Sequence, residues 1–179
     1  MARLPRLRRS KRKSRPPQTS DSRVDDASTG EYEFTISLRL RHPDIDPATI
    51  THTLAIEPQH SWKVGDPRCD PAGAALEGVH RESFWMAQLM EQPKLATAGV
   101  SVESVLLQTL ANLRRSQSFL AQLDAEGGVA QLHISLFART DFRLELSAQS
   151  LALLRHLGLA VALDVHPQPA HAAREPQAI

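Results

Sequence analysis

Strict two-residue alternation of apolar and polar side chains is the feature that most limits this chain. In YEFTISLRLR, residues 32–41, Tyr32, Phe34, Ile36, Leu38 and Leu40 take one side, and Glu33, Thr35, Ser37, Arg39 and Arg41 the other. An extended chain turns successive side chains to opposite faces, so the pattern reads as a strand with one face on a core and one in water. AQLHISLFAR, 130–139, repeats it through Leu132, Ile134, Leu136 and Ala138, and LAVALDV, 159–165, through Leu159, Val161, Leu163 and Val165. SFWMAQLM, 83–90, is a fourth and less regular candidate, apolar on both faces. Strands of this kind need an apolar layer on one side of their sheet.

Helical signals fall between the strands and supply that layer. Asp46 as N-cap and Pro47 at the first helical position announce a short helix over 47–55. Val102, Leu106, Leu110, Leu113, Leu120 and Leu123 mark a long amphipathic helix over about 101–124, closed by Gly127 and Gly128. Ser147 caps a third, with Leu151, Leu154 and Leu157 inward and Gly158 at its end. ISLRLR at 36–41 and ISLFAR at 134–139 agree at four of six positions, and each is followed by a loop, a capped helix and an apolar exit. Two such strand–helix–strand units joined by an extra helix predict an α+β, two-layer sandwich. Its plan is a ferredoxin-like split βαβ repeat, with a mostly antiparallel sheet and one bare face.

Charge is segregated along the chain. Residues 1–15 hold eight basic side chains and no acid, which leaves 13 basic against 20 acidic residues over 16–179, a net of −7. Residues 1–30 lack periodicity and are rich in Arg, Ser, Asp and Pro, so they read as a disordered basic tail. Residues 167–179 read as a second disordered tail, with a single domain at 31–166 between them. Val24 offers an alternative start that would leave the basic tail outside the working protein. A single cysteine, Cys69, excludes an intramolecular disulfide. No run approaches the roughly 18 apolar residues of a membrane helix, and the tail lacks the apolar stretch of a signal peptide. A soluble cytoplasmic protein is expected. The excess of arginine over lysine, 17 to 4, suggests a GC-rich bacterial genome.

DIDPATITHTLAIEPQHSWKVGDPR, residues 44–68, with the elements around it, resembles the DUF4279 family of small bacterial proteins, a domain of unknown function. The family's DxDPxxIT…LGIxPxxxWxxGxxR pattern is met by Asp44, Asp46, Pro47, Ile50, Thr51, Leu54, Ile56, Pro58, Trp62, Gly65 and Arg68. Ala55 stands where the family tends to have glycine, and ESFW replaces the usual glycine before Trp85. The closing leucine-rich helix, Gly158 and Asp164 also match, so the resemblance covers about 32–166. It implies no established activity. By analogy only, such small families include immunity proteins of toxin systems.

The candidate sites divide by chemistry. Asp46, Pro47, Ile50 and Leu54 have an architectural reading as cap, first helical residue and core anchors. Asp44, Asp46, Asp66 and Asp70 have a rival reading as a divalent-cation cluster, although their spacing fits no EF-hand loop. The eight histidines are scattered without HxxxH or HExxH, and Cys69 is flanked by acids that disfavour a thiolate. No catalytic, cofactor or metal site is expected. Binding of nucleic acid is limited to non-specific contact through residues 3–15, because a domain of net −7 repels phosphate. Trp62 and Trp85, with Asp44, Asp46, Pro47, Gly65 and Arg68, form the candidate partner patch. The favoured function is a non-enzymatic protein-binding module, with a toxin-like protein as partner. The alternatives are a small-molecule-sensing or enzymatic domain, or nucleic-acid binding through the basic tail.

Overall fold

The strand with the strictest alternation is the spine of the sheet. The computed structural model describes residues 30–169, so the basic segment 1–29 and residues 170–179 lie outside it. β1 (Tyr32–His42) buries Tyr32, Phe34, Ile36, Leu38 and Leu40 on one face. α1 (Pro47–Leu54), β2 (His60–Trp62), β3 (Pro67–Cys69), β4 (Ala75–Val79), β5 (Ser83–Gln88) and β6 (Leu95–Ala96) follow. The second half holds α2 (Val102–Leu113), α3 (Gln117–Ala125), β7 (Val129–Ala138), α4 (Ala148–His156) and β8 (Ala160–Pro167). β8 thus runs one residue past the boundary expected at 166.

The main sheet has the order β2-β5-β1-β7-β8, and β6 also pairs with β1. Every pairing is antiparallel except β7 with β8. β2 and β1 therefore run parallel with β5 inserted between them, and β5 and β7 run parallel with β1 inserted between them. The strand that returns from α1 is the three-residue β2, not the 83–90 strand, which lies antiparallel to β1. The echoed segments are not the starts of two equivalent units. They are antiparallel neighbours, crossing at Ile36 opposite Ile134.

The helices gather on the face that β1 buries. Ile50 and Leu54 of α1, Leu106 and Leu110 of α2, Leu120 and Leu123 of α3 and Leu154 of α4 share one core with Phe34, Ile36, Leu38, Leu40, Trp85, Leu132 and Ile134. Burying a side chain of this size contributes roughly 1.5–3 kcal/mol, which makes this layer the main source of stability. The helix expected as continuous over 101–124 is interrupted by a 3-10 turn at Arg114–Ser116, where Ser116 is buried. All six of its periodic apolar residues still face the core.

The opposite face, helix-free among the described residues, carries Thr35, Arg39 and Arg41 of β1, Phe84 and Met86 of β5, and Gln131 and Phe137 of β7, none of them fully buried. Two polar side chains on it are nonetheless buried, Ser37 and His133. Lys94, just before β6, sits 3.7 Å from the centre of the Phe137 ring and 3.5 Å from Glu33. β3 and β4 form a separate two-stranded sheet, exposed at every residue.

Candidate functional site

The motif over 44–68 is contiguous in sequence and is split by the plane of the sheet. Its first part builds α1. The Asp46 carboxylate accepts from Ala48 N at 2.9 Å, and Lys63 Nζ lies 3.2 Å from its second oxygen. The Ala48 amide and then Lys63 hold this carboxyl below its usual range. Pro47 is buried at the helix start, and Thr51 Oγ1 accepts from Trp85 Nε1 at 3.0 Å. Trp85 is completely buried, so it belongs to the core and is absent from any partner surface.

Trp62 has the opposite fate. It lies on the helix-free face, opposite Phe84 in the β2–β5 register. Its ring stacks on Phe84 at 4.3 Å and on His80 at 4.4 Å, each within about 21° of parallel. All three rings are half-buried. A groove of about 420 Å³ lies beside them, lined by Trp62, Arg68, Val79, His80, Arg81 and Glu82. Arg41 is opposite Phe84 in the neighbouring strand and 4.0 Å from Glu82. The next row of the face sets His60 opposite Met86 and Met86 opposite Arg39, whose Nε is buried without a hydrogen-bond partner.

This end of the sheet continues into an arm. Gly65, at φ +87, opens it, with its amide donating to His80 O at 2.9 Å, and His80 N donates to Asp66 O at 3.0 Å. Beyond this clamp β3 and β4 carry exposed Leu76 and Val79. Arg68 is exposed, reaching Glu77 O at 3.4 Å. A lone two-stranded hairpin is marginal in water, so the His80–Trp62 stack at its root fixes where the arm points.

The aspartates set against each other as a cation cluster are each used locally. Asp66 accepts from Lys63 N at 2.7 Å, and Asp70 from Ala72 N and Ala74 N at 2.9 and 2.8 Å. Asp44 is exposed, and its amide and that of Ile45 donate to His42 Nδ1 at 3.1 and 2.9 Å. Nδ1 therefore carries no proton, and the Asp44 carboxylate 3.2 Å away forms no ion pair with it. Among the described residues no group of three or more His, Cys, Asp or Glu is placed to hold a metal ion. Cys69 is exposed on the arm.

Two polar clusters have no local sequence signal because their members lie far apart in the chain. Glu103 Oε1 accepts from Ser147 Oγ, from Ser150 Oγ at 2.7 Å and from Ser147 N at 3.3 Å. Burial pushes the Glu103 carboxyl up, but the hydroxyls of Ser147 and Ser150 and the Ser147 amide outweigh it and hold it below its usual range. It lines a groove of about 690 Å³ with Tyr32, Thr97, Arg143 and Ser147. On the helix-free face, His133 Nε2 lies 2.6 Å from Asp164 Oδ2. No helix among the described residues is long and apolar enough to cross a membrane.

No curated protein and no solved structure matches the chain. Residues 32–168 match the family model described as a domain of unknown function, DUF4279, from the first residue of β1 to just past the end of β8. Spanning the whole sheet and every helix among the described residues, that match shows that the chain belongs to the DUF4279 family.

Proposed function

We propose that this chain is a non-enzymatic protein-binding module of the bacterial cytoplasm that receives its partner on the helix-free face, at the Trp62 end. The observation that carries the reading is the half-buried stack of His80, Trp62 and Phe84, bordered by Arg41, Arg68 and Arg81 and placed at the root of the exposed arm. A tryptophan flanked by arginines is the composition that concentrates binding energy at protein interfaces. The arginine border corresponds to an acidic contact on the partner, even though the chain beyond residue 15 is acidic as a whole. The immunity-type analogy with a toxin-like partner fits this reading where the toxin offers such a contact. The same reading takes the strand order β7-β1-β5-β2 as a ferredoxin-like split βαβ plan, with β8 appended through α4.

The test is affinity capture from the native host with the full chain and with Trp62→Ala. One protein recovered by the wild type and lost from a Trp62→Ala variant of unchanged melting temperature supports the proposal. Equal recovery by both refutes it. A second reading, small-molecule sensing, is favoured by the Glu103 groove. It predicts a ligand-induced rise in melting temperature that Arg143→Ala removes and Trp62→Ala does not.

A further inference from the structure

Among the described residues the sheet has one long edge. β2 ends it on one side with three residues, and β8 ends it on the other with eight. In a parallel pair, alternate residues aim their amide and carbonyl at the neighbouring strand. Gln168 N donates to Ala138 O at 2.7 Å, and the β7–β8 register runs unbroken from Gln131 opposite Ala160 to Ala138 opposite Pro167. Even-numbered residues of β8 therefore face β7, and Val161, Leu163 and Val165 turn their backbone groups outward. Such a row is a template for another strand. The side chains agree: Leu163 and Val165 are 48% and 53% exposed, although the residues opposite them, Ile134 and Leu136, are core.

We propose that this edge takes the β8 of a second copy, paired antiparallel about a twofold axis at Val165. Several observations select that register. The exposed run Leu163–Pro167 is centred on Val165. Backbone bonding requires odd residues to oppose odd ones, because even residues are already bonded to β7. Centring on Asp164 would set two carboxylates face to face, which is destabilising. Centring on Val165 instead sets Asp164 opposite His166 twice, a carboxylate facing an imidazole. Asp164 keeps its contact with His133 and is 53% exposed, and His166, stacked on Phe137 at 4.9 Å, is exposed beside it. Val165 then meets Val165, and Leu163 meets Pro167, whose missing amide removes one bond from each outer pair. The twofold axis is perpendicular to the sheet, which keeps the helices of both copies on one side and leaves both Trp62 ends free.

The experiment uses the full chain with Cys69→Ser. Sedimentation equilibrium reports a dimer. Val165→Arg opposes two cations at the axis and raises the dissociation constant by roughly tenfold or more, with circular dichroism unchanged and a melting temperature that no longer rises with protein concentration as the wild type's does. Under mild oxidation Val165→Cys forms a disulfide-linked dimer, because directly opposed residues lie within bridging distance, and Leu163→Cys does not. A monomer at every accessible concentration overturns the proposal. So does a dimer indifferent to Val165→Arg, or one cross-linked through Leu163→Cys instead.

Discussion

Replacing Ala55 by glycine is expected to stabilise the protein. Ala55 ends α1 at φ 54 and ψ 42, with its amide donating to Thr51 O at 2.9 Å. It is the only non-glycine residue at positive φ among the described residues. The left-handed conformation costs an L-residue roughly 1–2 kcal/mol, because Cβ crowds the following carbonyl. Glycine removes that cost but frees the unfolded chain, which offsets roughly 0.4–1 kcal/mol. The Ala55 methyl is exposed, so no core contact is lost. The net gain is about 0.5–1 kcal/mol, a rise of about 2–4 °C in melting temperature for a domain of this size. Urea melts of the full chain measure it, with an unchanged slope showing that both states expose the same surface. Ala48→Gly, inside the same helix and also exposed, is the control and should destabilise by about 0.5 kcal/mol. If Ala55→Gly lowers stability by as much as Ala48→Gly, the left-handed cap is not what terminates α1.

The tryptophans should separate cleanly. Trp85→Ala costs about 3–5 kcal/mol in a denaturant melt and Trp62→Ala about 1 kcal/mol or less, and with Trp62→Phe the remaining emission from Trp85 should be blue-shifted and resist acrylamide quenching. Gly128→Ala should destabilise by about 1–3 kcal/mol by chemical denaturation, since the added Cβ would lie 2.5 Å from Leu123 Cδ2 and 2.8 Å from His42 Cδ2. Glu103→Gln should destabilise near neutral pH. Because the folded carboxyl titrates below its unfolded value, that contribution is complete above the unfolded pKa and is lost as pH falls through the folded one, so melts of wild type and variant should converge in acid. Asp46→Ala should follow the same sign, lowering the melting temperature at neutral pH and losing its effect in acid.

What was legible in the sequence is what the chain decides locally. Alternation located β1, β7 and β8 within a residue or two, and the Asp46–Pro47 signal located the start of α1. Ser147 and Gly158 likewise bracketed α4. Pairing is decided by residues distant in sequence, and there the local pattern misleads. The echo between ISLRLR and ISLFAR predicts two copies of one unit. It reflects instead two central strands under the same demand, a buried face against one helical layer, paired to each other through Ile36 and Ile134. β2, at three residues, is too short to show a period at all. Exposed Leu163 and Val165 mark the opposite limit, since alternation tells which face a residue shares and not whether anything covers it.

The family motif shows the same limit at the level of function. The candidate partner patch sets Trp62 and Trp85 together with the motif residues Asp44, Asp46, Pro47, Gly65 and Arg68. In space its residues serve three places: Asp46 to Leu54 lie on the helical side, Trp62 on the other face, and Gly65 to Arg68 at the root of the arm. Trp85 joins the first through its bond to Thr51, although its own strand neighbour Phe84 stacks on Trp62. Adjacent residues of β5 thus belong to opposite sides of the molecule, as strand geometry demands. A substitution at Thr51 should therefore act through stability, and one at Trp62 should cost about 1 kcal/mol or less of stability and, on the proposed reading, act mainly through binding. Phe84→Ala tests the division best, because its ring touches the Trp62 stack without entering the core. A melting temperature close to wild type with binding lost would place the working surface on the helix-free face. A large drop in stability would return Trp62 and Phe84 to the architecture.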